Sequence, residues 1–101
     1  MHYLLLYDYG ADYLERRPAF RNEHLRLAWE AEARGELVLA GVLDKPIDGA
    51  VFMFKGDSPA AAEEFAKTDP YVKNGLVKQW RVRQWSTVVG RDAANPVRPQ
   101  T

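Results

Sequence analysis

The chain has 101 residues, of which 47% are hydrophobic and 12% aromatic, and its 14 Lys and Arg balance its 14 Asp and Glu. That length holds one domain with a single core, and the aromatic content excludes disorder of the main body. The zero net charge offers no basic stripe for nucleic acid, and the absence of cysteine excludes disulfides, thiolate metal sites and a Cys nucleophile.

Residues 2–8 (HYLLLYD) read as a strand, with Leu4 and Leu6 on one face and Tyr3, Leu5 and Tyr7 on the other. An antiparallel strand with one wet face would alternate apolar and polar, so this strand is expected to be covered on both sides. Residues 11–19 are a polar, tyrosine-containing connection with Pro18 in a first helical turn. Residues 20–34 then form an amphipathic helix stopped by Gly35. At about 100° per residue, Phe20, Leu27, Ala28 and Ala31 fall in a narrow arc, with His24 in its middle. Leu25 and Trp29 make a second apolar pair on a flank, so the helix has contacts available on two sides.

Residues 36–43 (ELVLAGVL) are a second strand, again apolar on both faces, followed by the turn-forming loop DKPIDG. Residues 50–55 (AVFMFK) are the third strand. Ser58 and Pro59 open a helix to about residue 67, the Ser hydroxyl as cap and the Pro at the first helical position. Asp69-Pro70 caps a further short turn through Asn74-Gly75, and residues 76–89 hold the last strand. This places the domain at residues 1–90, with residues 91–101 a polar, loose tail.

The order β-α-β-β-α-β makes an α+β, ferredoxin-like unit: a four-stranded antiparallel sheet with both helices on one face. The other face is apolar too, and a second copy of the chain is the natural cover, giving a homodimer. The N-terminus lacks the charged start of a signal peptide, and no run approaches the roughly 18–20 apolar residues of a membrane span. The expected setting is therefore cytoplasmic, with no membrane and no nucleic-acid partner.

Three residues carry potential chemistry: His24 on the apolar helix face, Asp69 before Pro70, and Asp8 at the end of the first strand. Each has an ordinary reading, as an interior His, a helix cap and a turn residue respectively. If Asp69 reaches His24, its carboxylate holds one ring nitrogen and leaves the other free to move a proton. The tyrosines at 3, 7, 9, 13 and 71, with Trp80 and Trp85, would line a small cavity or fill the core. Two histidines make no convincing metal site, and no Gly-rich phosphate loop or GxSxG elbow occurs, so no metal and no cofactor are expected.

The strand HYLLLYD, the helix HLRLAWEAEARGEL running into VLAG, the strand DGAVFMF and the segment SPAAAEEFAKTDPYVKNGL resemble the YciI-like (YCII-related) family over about residues 1–89. The resemblance implies a dimeric α+β barrel, two ferredoxin-like units packed sheet to sheet. It also implies a His–Asp site, matched here by His24 and Asp69. A few members are similar to dehydrochlorinases of chlorinated hydroxyquinols; most have no established reaction. Gly41-Val42 and Gly49-Ala50 stand where many members have Gly-Pro and Gly-Gly, so no relative's substrate transfers.

The resulting expectation is a small-molecule enzyme using a His24–Asp69 dyad for proton transfer, by elimination or isomerisation. Asp8, Tyr7 and Tyr71 are expected to contact the small-molecule ligand. The alternative is a non-catalytic, small-ligand-binding or accessory dimer.

Overall fold

Alternation along β1 (His2–Tyr9) organises the molecule, whose structure, a computed structural model, describes residues 1–100. The last tail residue read from the sequence, Thr101, lies outside the described residues. Tyr3, Leu5, Tyr7 and Tyr9 are buried on one side of β1, and Leu4, Leu6 and Asp8 are half-buried on the other. β1 is central, pairing antiparallel with β3 (Gly49–Lys55) and with β4 (Val77–Trp85). The edge strand β2 (Leu37–Leu43) adds to β3, giving the order β2-β3-β1-β4 and the ferredoxin-like α+β fold.

The helices α2 (Arg21–Ala33) and α3 (Ala60–Thr68) cover the tyrosine side of the sheet. The core joins Leu5 and Tyr7 to Phe52, Phe54, Phe65 and Leu76, all buried. Two glycines make the reversals that build the site. Gly35 (φ 80°) and Gly75 (φ 79°) occupy the left-handed conformation that other residues avoid. Each closes a helix in a Schellman motif: Gly35 N–H donates to the Glu32 carbonyl and Glu36 N–H to that of Ala31, and Gly75 and Leu76 repeat the pattern on Val72 and Tyr71. The first sends α2 directly into β2; the second sends α4 (Pro70–Lys73) into β4.

Several expectations are corrected. The polar connection is largely helical, with α1 (Tyr13–Arg16) and a 3-10 turn (Arg17–Ala19), because Tyr13 is buried against the core. The Ser58 hydroxyl accepts from Ala60 N–H at 3.3 Å, but α3 begins one residue late and Pro59 takes the flanking position. β2 is apolar on both faces without being covered on both. As an edge strand it leaves Leu39 73% exposed, with Val42 and Leu43 also exposed.

Part of the segment after β4 folds back by hydrogen bonds. His2 Nδ1 lies 2.6 Å from the Thr87 hydroxyl, which also accepts from Ala94 N–H, while Asn95 N–H and Val97 N–H donate to the carbonyls of Thr87 and Val88. Gly49 is required by contact: a Cβ there would stand 2.5 Å from the Tyr7 carbonyl oxygen. Its neighbour Ala50 is buried on the floor of the cavity described next.

Candidate functional site

Asp69 is fixed by its position between two helices. It ends α3 in an extended conformation, and its side chain accepts the Tyr71 N–H at 3.0 Å as the cap of α4. The same carboxylate is 0% exposed and accepts two further hydrogen bonds. The Tyr7 hydroxyl donates to Oδ2 at 2.6 Å, and His24 Nδ1 lies 3.0 Å from both oxygens. A buried carboxylate with three donors is satisfied, and it faces no unpaired polar atom. Because it can only accept, its contact with Nδ1 requires the proton there and selects that tautomer of the imidazole.

His24 comes from the middle of the apolar arc of α2. Its ring stacks on Tyr71 at 4.0 Å between centroids with the planes 12° apart, and meets Phe52 and Phe65 edge to face. Nε2 has no partner among the described residues and is not occluded, so it is the ring nitrogen open to the neighbouring cavity. That cavity, about 540 Å³, is a groove between α2 and β2. Arg21, Leu25, Ala28, Trp29 and Glu32 form its helical wall and residues 37–42 its strand wall. Ala50, Phe52, His24 and Tyr71 make the floor; Tyr9, Tyr13 and Arg17 close one end. Its volume and mostly apolar lining suit a small organic molecule.

The tyrosines around this end are held neutral. Burial, reinforced by the Asp69 charge, pushes the Tyr7 phenol far above its ordinary value of 10.0. Burial also raises Tyr9 and Tyr71, with the neighbouring Tyr13 hydroxyl adding to both. Tyr9 and Tyr13 stack at 3.5 Å, and Tyr13 meets Tyr71 edge-on at 5.6 Å. The folded chain therefore keeps protons that the unfolded chain loses above pH 10.0. Stability from these groups is intact below that pH and lost progressively as pH rises above it. Urea titrations from neutral pH into the alkaline range are expected to show a flat region and then a steep fall; a flat profile throughout would contradict the buried-tyrosine picture.

The residues singled out from the sequence separate cleanly. His24, Asp69 and Tyr71 come together. Tyr7 is brought to the pair, 1% exposed and not among the residues that line the cavity, with its hydroxyl on the Asp69 carboxylate. Asp8 is on the opposite side of the sheet, because strand side chains alternate, with its carboxylate 3.9 Å from Arg81. Of the wider aromatic set, Tyr9, Tyr13 and Tyr71 line the cavity, while Tyr3 belongs to the core. Arg17 and Arg21 escaped the sequence reading, as did the direction in which Trp29 faces. The available signal was the stripe 21, 24, 25, 28, 29, 32 at helical spacing.

Among the described residues no group of three His, Cys, Asp or Glu side chains is arranged to hold a metal ion, and no helix is long and apolar enough to cross a membrane.

Comparison with solved structures places this architecture among known folds. The 5-chloro-2-hydroxyhydroquinone dehydrochlorinase TftG of Burkholderia phenoliruptrix AC1100, in complex with 2,5-dihydroxybenzoquinone, superposes with a TM-score of 0.72 at 21% identity, over 86% of this chain and 95% of its own. A protein of Agrobacterium tumefaciens gives 0.57 at 15% identity, over 94% of this chain and 99% of its own. A NIPSNAP family protein of A. tumefaciens strain C58 gives 0.53 at 19% identity, over 96% and 97%. At these identities the likeness is one of fold. No curated protein sequence matches the chain. The profile of the YCII-related domain matches residues 1–86, which hold the whole of the sheet and its helices, and the chain belongs to that family.

Proposed function

We propose that this protein is a small-molecule enzyme in which His24 moves a proton and Asp69 positions and charges-balances it. One observation carries the reading: a fully buried carboxylate engages Nδ1 while Nε2 opens on an apolar cavity. In that arrangement Nε2 carries a lone pair and acts as base. It takes a proton from a carbon or hydroxyl of the bound molecule, and the freed electron pair forms a double bond as a leaving group departs on another atom. Returning the proton to a different atom gives isomerisation instead. The imidazolium formed in either case is stabilised by the adjacent Asp69 charge, the usual role of a carboxylate behind a catalytic His. The fold likeness to TftG, named as a dehydrochlorinase, favours elimination, a reaction that needs a base and no nucleophile.

The test is turnover of a panel of chlorinated hydroquinones and other small carbon acids in deuterated water, read as chloride release or deuterium incorporation. Wild type is expected to convert a member and His24→Gln to lose that conversion. Turnover that survives His24→Gln would overturn the reading. The alternative, a non-catalytic ligand-binding dimer, draws on the apolar breadth of the groove, whose Trp29 is 69% exposed. It predicts ligand binding with no turnover in either protein.

The functional unit in this proposal is a homodimer. The sheet face away from the helices carries Leu4, Leu6, Val51 and Met53, all half-buried and covered by no element among the described residues. Pairing two such faces would bury a contiguous apolar patch of the kind that marks interfaces. Sedimentation at micromolar concentration is expected to give a dimer, and Leu6→Arg a folded monomer. A wild-type monomer would remove this part of the proposal.

A further inference from the structure

The groove is electrically lopsided. Of the residues lining it, Arg21 is in the first turn of α2, one turn from His24, and Glu32 is in the last; Arg17 lies over Tyr13, whose ring meets Tyr71, the ring on which His24 stacks. Along α2, Arg21 and Glu32 are separated by eleven residues, an axial distance of roughly 16 Å. Five of the other arginines are paired: Arg16 with Asp12, Arg26 with Glu23 and Glu30, Arg34 with Glu36, Arg81 with Asp8 and Arg91 with Asp92; among the described residues Arg83 and Arg98 are not, and neither lines this groove. Among the described residues Arg17 and Arg21 have no carboxylate or hydrogen-bond partner; Arg17 lies over the Tyr13 ring at 5.6 Å. Both residues line the cavity.

Two unpaired guanidinium groups at the lip of an apolar groove are a natural receptor for a carboxylate, which Arg binds in a planar, bidentate fashion. We infer that Arg17 and Arg21 form an anion-binding end, so that the ligand of this groove is an amphiphilic carboxylate with its apolar or aromatic body lying along Trp29 and β2. His24 is one helical turn from Arg21, an axial step of about 5 Å. The atom presented to Nε2 is therefore one a few bonds from the carboxylate, and the body beyond it fills the remaining groove. Glu32 at the far end disfavours the reversed orientation. The placement of the reacting atom rests on the proton-transfer reading; the anion end stands without it.

The test uses 3-phenylpropionate and its neutral amide, titrated into ¹⁵N-labelled protein while the Trp29 indole N–H and the His24 ring are followed. The acid is expected to shift both resonances and to bind roughly tenfold tighter than the amide, as a charge-assisted contact allows, with the preference shrinking as salt is added. In the double variant Arg17→Ala/Arg21→Ala the acid should fall to the affinity of the amide. Arg21→Ala alone, which leaves the Arg17–Tyr13 contact in place, should lose part of the preference. Equal affinities in wild type, an undiminished preference in the double variant, or no shift with the acid at millimolar concentration would each overturn the inference. His24→Gln keeps both arginines and should keep the preference, so failure of the catalytic reading and failure of the anion end appear as separate results.

Discussion

Asp69→Ala is expected to destabilise the protein by about 3–5 kcal/mol, the range for removing one partner from a buried, charged network. The carboxylate is 0% exposed and receives the Tyr7 hydroxyl at 2.6 Å, His24 Nδ1 at 3.0 Å and the Tyr71 N–H at 3.0 Å. Truncation orphans all three donors at once. Each unsatisfied buried donor costs roughly 1–3 kcal/mol, and water entering the space offsets part of the sum. The cap of α4 goes with it, a loss of about 1 kcal/mol taken alone. Asp69→Asn keeps the shape but turns one acceptor into a donor, so it should fall between wild type and Ala. Urea unfolding checks this: the midpoint should drop with an unchanged slope, and a loss under about 1 kcal/mol would mean the carboxylate is not the hub described.

His24→Gln is expected to lower turnover by about 10²–10⁴-fold, the usual range for removing a positioned proton-transfer group. Its effect on stability should be much smaller than that of Asp69→Ala. Asp69 keeps the Tyr7 and Tyr71 donors, and the space vacated opens onto the cavity rather than into the core. Side by side, the two variants separate positioning from chemistry. Asp69→Ala should lose stability and turnover together, His24→Gln turnover almost alone. A His24→Gln protein with unchanged rates on a substrate of the wild type would mean that the proton moves elsewhere.

Much of this was legible in the residues, for identifiable reasons. Short runs dense in aromatic and aliphatic residues marked β1 and β3, helical spacing put His24 on an apolar arc, and Asp69 before Pro70 announced a cap. What was hidden is tertiary. His24 and Asp69 are 45 residues apart, and only the packing of α2 against the α3–α4 junction sets their contact. Because both faces of β1 are apolar, the sequence could not say which face the helices would take. Tyr7 and Asp8, adjacent in sequence, therefore looked equally suited to a site, yet one reaches Asp69 and the other Arg81. Arg17 was hidden in a connection whose helical pieces are too short to show a period. The exposure of β2 follows from its place at the sheet edge, which an apolar strand sequence does not announce. His2 meets Thr87 across 85 residues and Ala94 N–H donates to the same hydroxyl, contacts that polar composition cannot reveal.

The central claim is that Asp69 holds His24 as the Nδ1–H tautomer, leaving Nε2 as the open base. It is tested most directly by long-range ¹H–¹⁵N NMR of the imidazole in its neutral form. The expected spectrum shows a protonated Nδ1 and a bare Nε2, with the assignment lost or mixed in Asp69→Asn. A neutral ring carrying its proton on Nε2 would contradict the account, because the nitrogen facing the cavity would then have no lone pair with which to take a proton.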